Sequence, residues 1–215
     1  MTEAQWLDSA HPEKMIRYIQ RVVLNDRTWR IFAVRCCERV RHLLPDERCR
    51  TALDTCARFA EGSASASDLA AAEDASNAAF TEFDDSLRET AAAAVHAACL
   101  PNDMHLYAPC ATRQAALLVW PRLQRKLEYR WQAAVLRDLF GNPSRPVTFS
   151  PSWRTSTAVA LAAQMYEARE FGAMPILGDA LQDAGCDSAD VLDHCRGEGP
   201  HVRGCWVVDL VLGKE

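Results

Sequence analysis

The chain has 215 residues, 49% of them hydrophobic and 25% charged, the composition of an ordinary soluble globular protein whose core needs no staples. A formal net charge of −5 and a pI near 5.7 argue against capture of nucleic acid or an anionic membrane by an overall positive field. No stretch approaches the roughly 18 unbroken apolar residues of a membrane span, and the polar opening MTEAQWLDSAHPEK lacks the apolar core of a signal peptide, so a cytoplasmic protein is expected.

The first elements read as short helices. Thr2 and Gln5 have the spacing of a capping box ahead of Trp6 and Leu7, and Pro12 suits the first position of a second helix with Met15, Ile16, Ile19, Val22 and Val23 on one face. Trp29, Phe32, Ala33, Cys36, Cys37, Val40, Leu43 and Leu44 then recur at steps of three and four, predicting an amphipathic helix that stops at Pro45. Cys49, Ala52, Leu53, Cys56, Phe59 and Ala60 repeat the pattern up to Gly62. The two helices form a hairpin in which Cys36, Cys37, Cys49 and Cys56 are core atoms. Nine cysteines are an odd number spread over buried positions, which reads as free thiols in a reducing compartment.

After the break GSASAS, with Ser67 as the expected cap, an Ala-rich run from Asp68 to Cys99 favours helix on propensity, with a face of small side chains. LPNDMHLYAPC reads as a turn-rich break, and Ala115 to Phe140 as a long helix interrupted or restarted at Pro121. FGNPSRPVTFSPSW holds too many Gly and Pro residues for helix and marks an ordered loop. A helix containing Val159, Ala162, Ala163, Met165 and Tyr166 closes at Gly172, a second runs from Pro175 to Gly185, and a short one from Ser188 to Cys195. Pro200 is expected to open a last helix through Leu212, stopped by Gly213, although the valines of CWVVDLVL also suit a strand. No P-loop, GxGxxG, HExxH, GxSxG or EF-hand spacing and no internal repeat occur.

The segments MTEAQWL, WRIFAVRCCERVRHLLPDER, LRDLFGNPSRPV and MPILGDALQDAGCDSADVLDHCRGEGPHVRGCWVVDLVLGKE resemble a family of bacterial proteins that keeps these blocks at its two ends around a variable Ala-rich middle. The likeness spans roughly residues 1–62 and 131–215 and carries no established activity. It implies that the tail, here Cys186, His194, Cys195, Arg196, Gly199, Pro200, His201, Arg203, Gly204, Cys205 and Trp206, is a family feature.

Three chemistries suit this tail. On a helix opening at Pro200, His201 and Cys205 stack one turn apart; with Cys195 or His194 and with Cys186 they would make a tetrahedral Cys/His set suited to a structural zinc. The spacing C-x8-C-x5-H-x3-C matches no common zinc module, and the plainer alternative makes the cysteines buried fillers and His201 a donor to a carbonyl. Alternatively, Gly197, Gly199 and Pro200 would leave helix N–H groups free, with Arg196, His201 and Arg203 closing around a phosphate, a carboxylate or a partner, unless Glu198 or Asp193 pairs with the arginines from within. Third, Cys205 as nucleophile and His201 as base, oriented by Asp209, would make a thiol enzyme, though Gly204 and Trp206 on either side argue for burial.

His42 suits a solvated face, His96 and His105 lack nearby partners in sequence, and Trp153, Tyr129 and Trp131 suit anchors for the loop, whose aromatic lining also suits a partner peptide. The sequence therefore predicts an all-α chain, 1–215, forming one compact domain of about eight or nine helices. A subdivision into 1–140, a loop at 141–150 and 151–215 is compatible with it. The expected role is a non-enzymatic module that binds another protein as a component of a larger bacterial assembly, its tail a metal knot or a recognition surface. The competing expectation is a cysteine- or metal-dependent enzyme using Cys205 and His201.

Overall fold

The computed structural model describes residues 1–214 except 24, 45, 83–85 and 119–121, and the side chains of 86–88 and 122–123 are also outside the description. The expected stop at Pro45 and break at Pro121 therefore lie outside the described residues. Among those described, every regular element is helical: α1 (Glu3–Asp8), α2 (Pro12–Ile19), α3 (Asp26–Arg39), α4 (Glu47–Ala60), α5 (Ala66–Glu82), α6 (Ser86–Cys99), α7 (Met104–Leu118), α8 (Arg122–Phe140), α9 (Ser156–Ala168), α10 (Met174–Asp183), α11 (Ala189–Arg196) and α12 (Trp206–Leu212). Short 3-10 turns occupy Arg41–Leu43 and Pro151–Trp153. The all-α class is correct, and twelve helices exceed the expected eight or nine.

Local chemistry accounts for the extra elements. The Ala-rich run is two helices, α5 and α6, because uniform small side chains carry no periodic stripe from which a break can be read. The cap of α5 is Ser65 instead of Ser67: its hydroxyl accepts from the Asp68 N–H at 3.1 Å, while Asp68 accepts from the Ser65 N–H at 2.8 Å. The expected break at 100–110 is confined to residues 100–103; the rest of that segment belongs to α7, with Pro109 inside it. Proline cannot donate to the carbonyl four residues back, here that of His105, and the Gln20 side-chain amide donates to that oxygen instead, at 2.6 Å. α2 ends at Ile19, which leaves Val22 exposed and off the expected face. The last helix opens at Trp206; residues 200–205 form a turn, and CWVVDLVL is not a strand. Gly213, at a φ of 67°, ends α12 as expected.

The chain forms two compact units, one of Ser9–Ala133 with Met1 and one of Thr2–Asp8 with Ala134–Glu215. The boundary falls inside α8, and loop 141–150 lies within the second unit.

In the first unit α3, α4 and α6 pack on one another, α5 covers α4 and α6, and α7 lies against α3 and α6. Trp29, Phe32, Cys36, Cys37, Leu53 and Cys56 are fully buried, as the α3 and α4 stripes predict. Cys56 is not a free thiol, however. It forms a disulfide with Cys99, joining α4 to α6 where their Cα atoms are 5.6 Å apart; the other seven cysteines are free. Arg30, 1% exposed, donates to the carbonyls of Ala98 and Pro101 at 2.9 and 3.0 Å, which pins the end of α6. Trp131 lies beneath the Arg39 guanidinium, 4.3 Å from the ring centre, and His96 stacks on Phe80.

In the second unit α9, α10, α11 and α12 enclose a core of Met165, Leu177, Leu181, Val191, Val207 and Val211. Trp153 anchors the preceding loop there, its ring edge-on to Phe149 at 5.2 Å. α1 packs on the end of α8: the Trp6 indole donates to the Gly141 carbonyl at 3.0 Å, and Arg137 donates to the Trp6 carbonyl at 3.2 Å. Gly178 brings α10 onto α11, because a Cβ placed there would sit 3.0 Å from that of Cys195. Gly178→Val is therefore expected to lose about 2 kcal/mol or more in urea unfolding, the cost of overpacking two locked backbones, and an unchanged midpoint would contradict this packing.

Candidate metal centre

The second unit brings four ligand-type side chains together. Asp138 on α8, His194 near the end of α11, His201 in the turn and Cys205 just before α12 each offer one atom, and these atoms all lie within 4.8 Å of one another. Asp138 projects from a helix face that also carries the buried Val135 and Leu139, so its carboxylate enters the unit with the apolar stripe. It is 2% exposed and Cys205 is fully buried, while the His201 and His194 side chains are 8% and 16% exposed.

The turn between α11 and α12 is shaped to supply His201. Gly199 has a φ of 81°, and a Cβ there would lie 2.8 Å from the His201 nitrogen, so only glycine fits. The Val202 N–H donates to Asp138 Oδ2 at 2.9 Å, which holds the turn against α8 and leaves Oδ1 facing the imidazoles.

Asp138 Oδ1 lies 2.8 Å from His201 Nδ1 and 3.2 Å from His194 Nε2, and that same Nε2 lies 3.1 Å from Cys205 Sγ. His201 Nε2 faces the Gly197 carbonyl at 3.3 Å. The proton inventory of this set turns on His201: protonated, it has an N–H for each of its two oxygens. A neutral His201 has one N–H for two oxygens, and His194 Nε2 faces a carboxylate oxygen and a sulfur at once. Either protons or a cation must fill the centre.

The electrostatics follow from burial and proximity. Burial pushes the Asp138 carboxyl upward, but hydrogen bonds and charge from His194 and His201 outweigh it and hold the group below its ordinary value. Burial pulls His201 down, and Asp138, with a smaller part from the Gly197 carbonyl, lifts it above the usual imidazole value. Cys205 is held as a thiol by burial first and by the Asp138 charge second, with the backbone N–H groups of Val208 and Val207 pulling the other way.

His201 and Cys205 thus meet, although through the turn and the start of α12 instead of as neighbours on one helix. His194, the alternative to Cys195, joins them. Cys186 and Cys195 lie in the apolar core of the unit, and the Cys195 thiol is pushed up to about 12 by burial. The arginines diverge: Arg196 pairs with Asp179 at 3.0 Å and Gln182 at 2.5 Å, whereas Arg203, 8% exposed, donates to the Tyr166 carbonyl at 2.6 Å with its guanidinium over the Tyr166 ring. With no helix opening at Pro200, the arrangement expected for an anion cradle of Arg196, His201 and Arg203 is not formed. Asp209 is buried in α12, where its backbone N–H bonds the Cys205 carbonyl. Asp138 is the residue that sequence reasoning missed; the signal was an acid on an apolar helix face, inside the LRDLFGNPSRPV block.

A cluster able to hold a metal ion is therefore present: one carboxylate, two imidazoles and one thiol. Comparison with protein-family models, with curated proteins and with solved structures yields no match to this chain.

Both pKa shifts set a pH dependence for metal-free protein. Asp138, depressed on folding, stabilises above the unfolded carboxyl value and loses this as pH falls through its lowered one. His201, raised on folding, stabilises fully below its unfolded value near 6.5 and loses this as pH rises through its higher one. In chelator, urea-unfolding stability should fall across the alkaline side of about pH 6 to 9, and Asp138→Asn should flatten that limb. An equally steep limb in the variant would place its origin elsewhere.

Proposed function

We propose that Asp138, His194, His201 and Cys205 bind a single zinc ion as a structural knot, and that the protein is a non-enzymatic binding module that this knot holds in shape. The observation that carries the reading is the convergence of four ligand atoms within 4.8 Å of one another, those of Asp138 and Cys205 on buried residues and those of His194 and His201 on partly buried ones. A divalent ion suits the set: with carboxylate and thiolate ionised and both imidazoles neutral, the site is electrically neutral, the condition for burying charge.

The three short separations approach tetrahedral edges, while the set as a whole extends to within 4.8 Å. A tetrahedron with metal–N and metal–O bonds of about 2.0 to 2.1 Å and a metal–S bond of about 2.3 Å has edges of roughly 3.3 to 3.6 Å. The 2.8, 3.1 and 3.2 Å separations reach those values through small side-chain adjustments. The turn supplies the outer support such sites need: Val202 N–H on Asp138 Oδ2, and the Gly197 carbonyl to take a proton from His201 Nε2, leaving Nδ1 as the ligand. Mixed N, S and O donors in a closed set of four favour zinc and leave no position for substrate.

The thiol-enzyme reading has less support. The Cys205 sulfur has no exposed surface and its thiol is held protonated. His194 faces Cys205 and Asp138 through the same nitrogen, so it cannot relay a proton from one to the other across its ring. A role beside a protein partner, and kinship with the bacterial family that the terminal blocks resemble, belong to the same proposal.

Purified full-length protein should carry about one zinc per chain, and His194→Ala or Cys205→Ser should weaken its retention against a chelator by at least about a hundredfold, while Cys186→Ser leaves it unchanged. Cobalt replacement should give a thiolate charge-transfer band that Cys205→Ser abolishes. Substoichiometric metal, with melting unmoved by chelation, would overturn the knot.

A further inference from the structure

The second unit also holds a cavity of about 390 Å³ that the metal reading does not use. It lies among α1, the end of α8, the following loop and α11, and its apolar wall includes the partly exposed rings of Phe140 and Trp206 and the side chains of Pro146 and Val147. That volume suits a small organic molecule.

The charged groups that line it are unequally paired. Arg145 is held between Glu3 at 2.6 Å and Asp190 at 3.1 Å, and Asn142 donates to the same Glu3 at 2.7 Å. Arg137 donates to the Trp6 carbonyl and interacts with the charge of Asp8. Each cation at the cavity therefore already has an acid. Asp193, on the exposed side of α11, also lines the cavity, and its carboxylate has no ion-pair or hydrogen-bond partner among the described residues. Two arginines and two carboxylates line the cavity; both arginines and Asp190 are engaged, the arginines also by Glu3 and Asp8 outside the lining, and Asp193 is the carboxylate left uncommitted.

An aromatic wall with an unpaired carboxylate recognises positive charge. The faces of Trp and Phe attract ammonium groups through their quadrupole, and a carboxylate adds charge complementarity, whereas an anionic ligand would meet the unpaired Asp193 with both arginines already engaged. We propose that this cavity binds a small organic cation: a quaternary or primary ammonium on a short apolar body, with the body against Phe140 and Trp206 and the charge toward Asp193. Asp193 and Phe140 lie outside the metal cluster, and the two readings meet at His194, which lines the cavity and packs against Trp206.

Full-length protein titrated with benzyltrimethylammonium, by calorimetry and by the Trp206 indole resonance, tests it. Saturable one-site binding is expected, with the neutral isostere neopentylbenzene and the anion phenylacetate each at least about fivefold weaker. Asp193→Asn, an exposed change that should leave melting unaltered, should weaken the cation by about five- to thirtyfold and leave the neutral compound unmoved. Equal affinity for the neutral isostere, preference for the anion, indifference to Asp193→Asn, or no saturation by the cation would each overturn the proposal.

Discussion

A carboxylate carried into the interior on an apolar helix face organises the C-terminal part of this molecule. An unpaired buried charge is among the costliest features a fold can contain, and Asp138 is tolerated because every neighbour converges on it. One oxygen takes the Val202 N–H and the other faces two imidazoles. The route of the chain from α11 to α12 follows from that need: it must bring His201 and the Val202 nitrogen within reach of α8, and the left-handed Gly199 permits the bend that does so.

The same requirement explains what the tail does with its other polar residues. Arg203 turns to hold the Tyr166 carbonyl near the end of α9, with the Tyr166 ring beneath it, and Arg196 ties α11 back to α10. Arg154 donates twice to the Leu210 carbonyl, at 3.0 and 2.9 Å, and so secures α12 at its other end. These cations serve internal carbonyls and acids, so the density of charged residues that first marks the segment as a recognition surface is largely an internal framework. What remains for chemistry is the inward cluster.

The stripes of α3 and α4 were legible in the sequence because Trp29, Phe32, Cys36, Leu53 and Cys56 are large or distinctive enough to mark a face at helical spacing. The break between α5 and α6 was not, since alanine on every side gives a helix no face to read. Pro109 was misleading for a different reason: its cost depends on whether another group takes up the freed carbonyl, and Gln20, 85 residues away, does so. At the site, three of the four side chains were visible, His194 as an alternative to Cys195, and Asp138 was not. His201 and Cys205 were seen as a pair, but through a helix that does not form, because proline and glycine before an apolar run signal a helix start and a turn with equal force. Their real partners come from α8 and from the neighbour of Cys195, and such convergence is a tertiary fact. The acid on the apolar face of α8 was its one local trace.

His194 links the two features of this unit. Its Nε2 faces Asp138 and Cys205, its ring packs against Trp206 with centroids 5.2 Å apart, and both side chains line the cavity. An imidazole fixed by a metal has one tautomer and one orientation, and the tilted indole packed against it, at 58°, meets a fixed neighbour. Removing the cluster's constraint frees both rings, and with them a wall of the cavity. Any free-energy coupling that this shared ring carries is reciprocal: a ligand that favours the ordered wall favours the ordered cluster by the same factor.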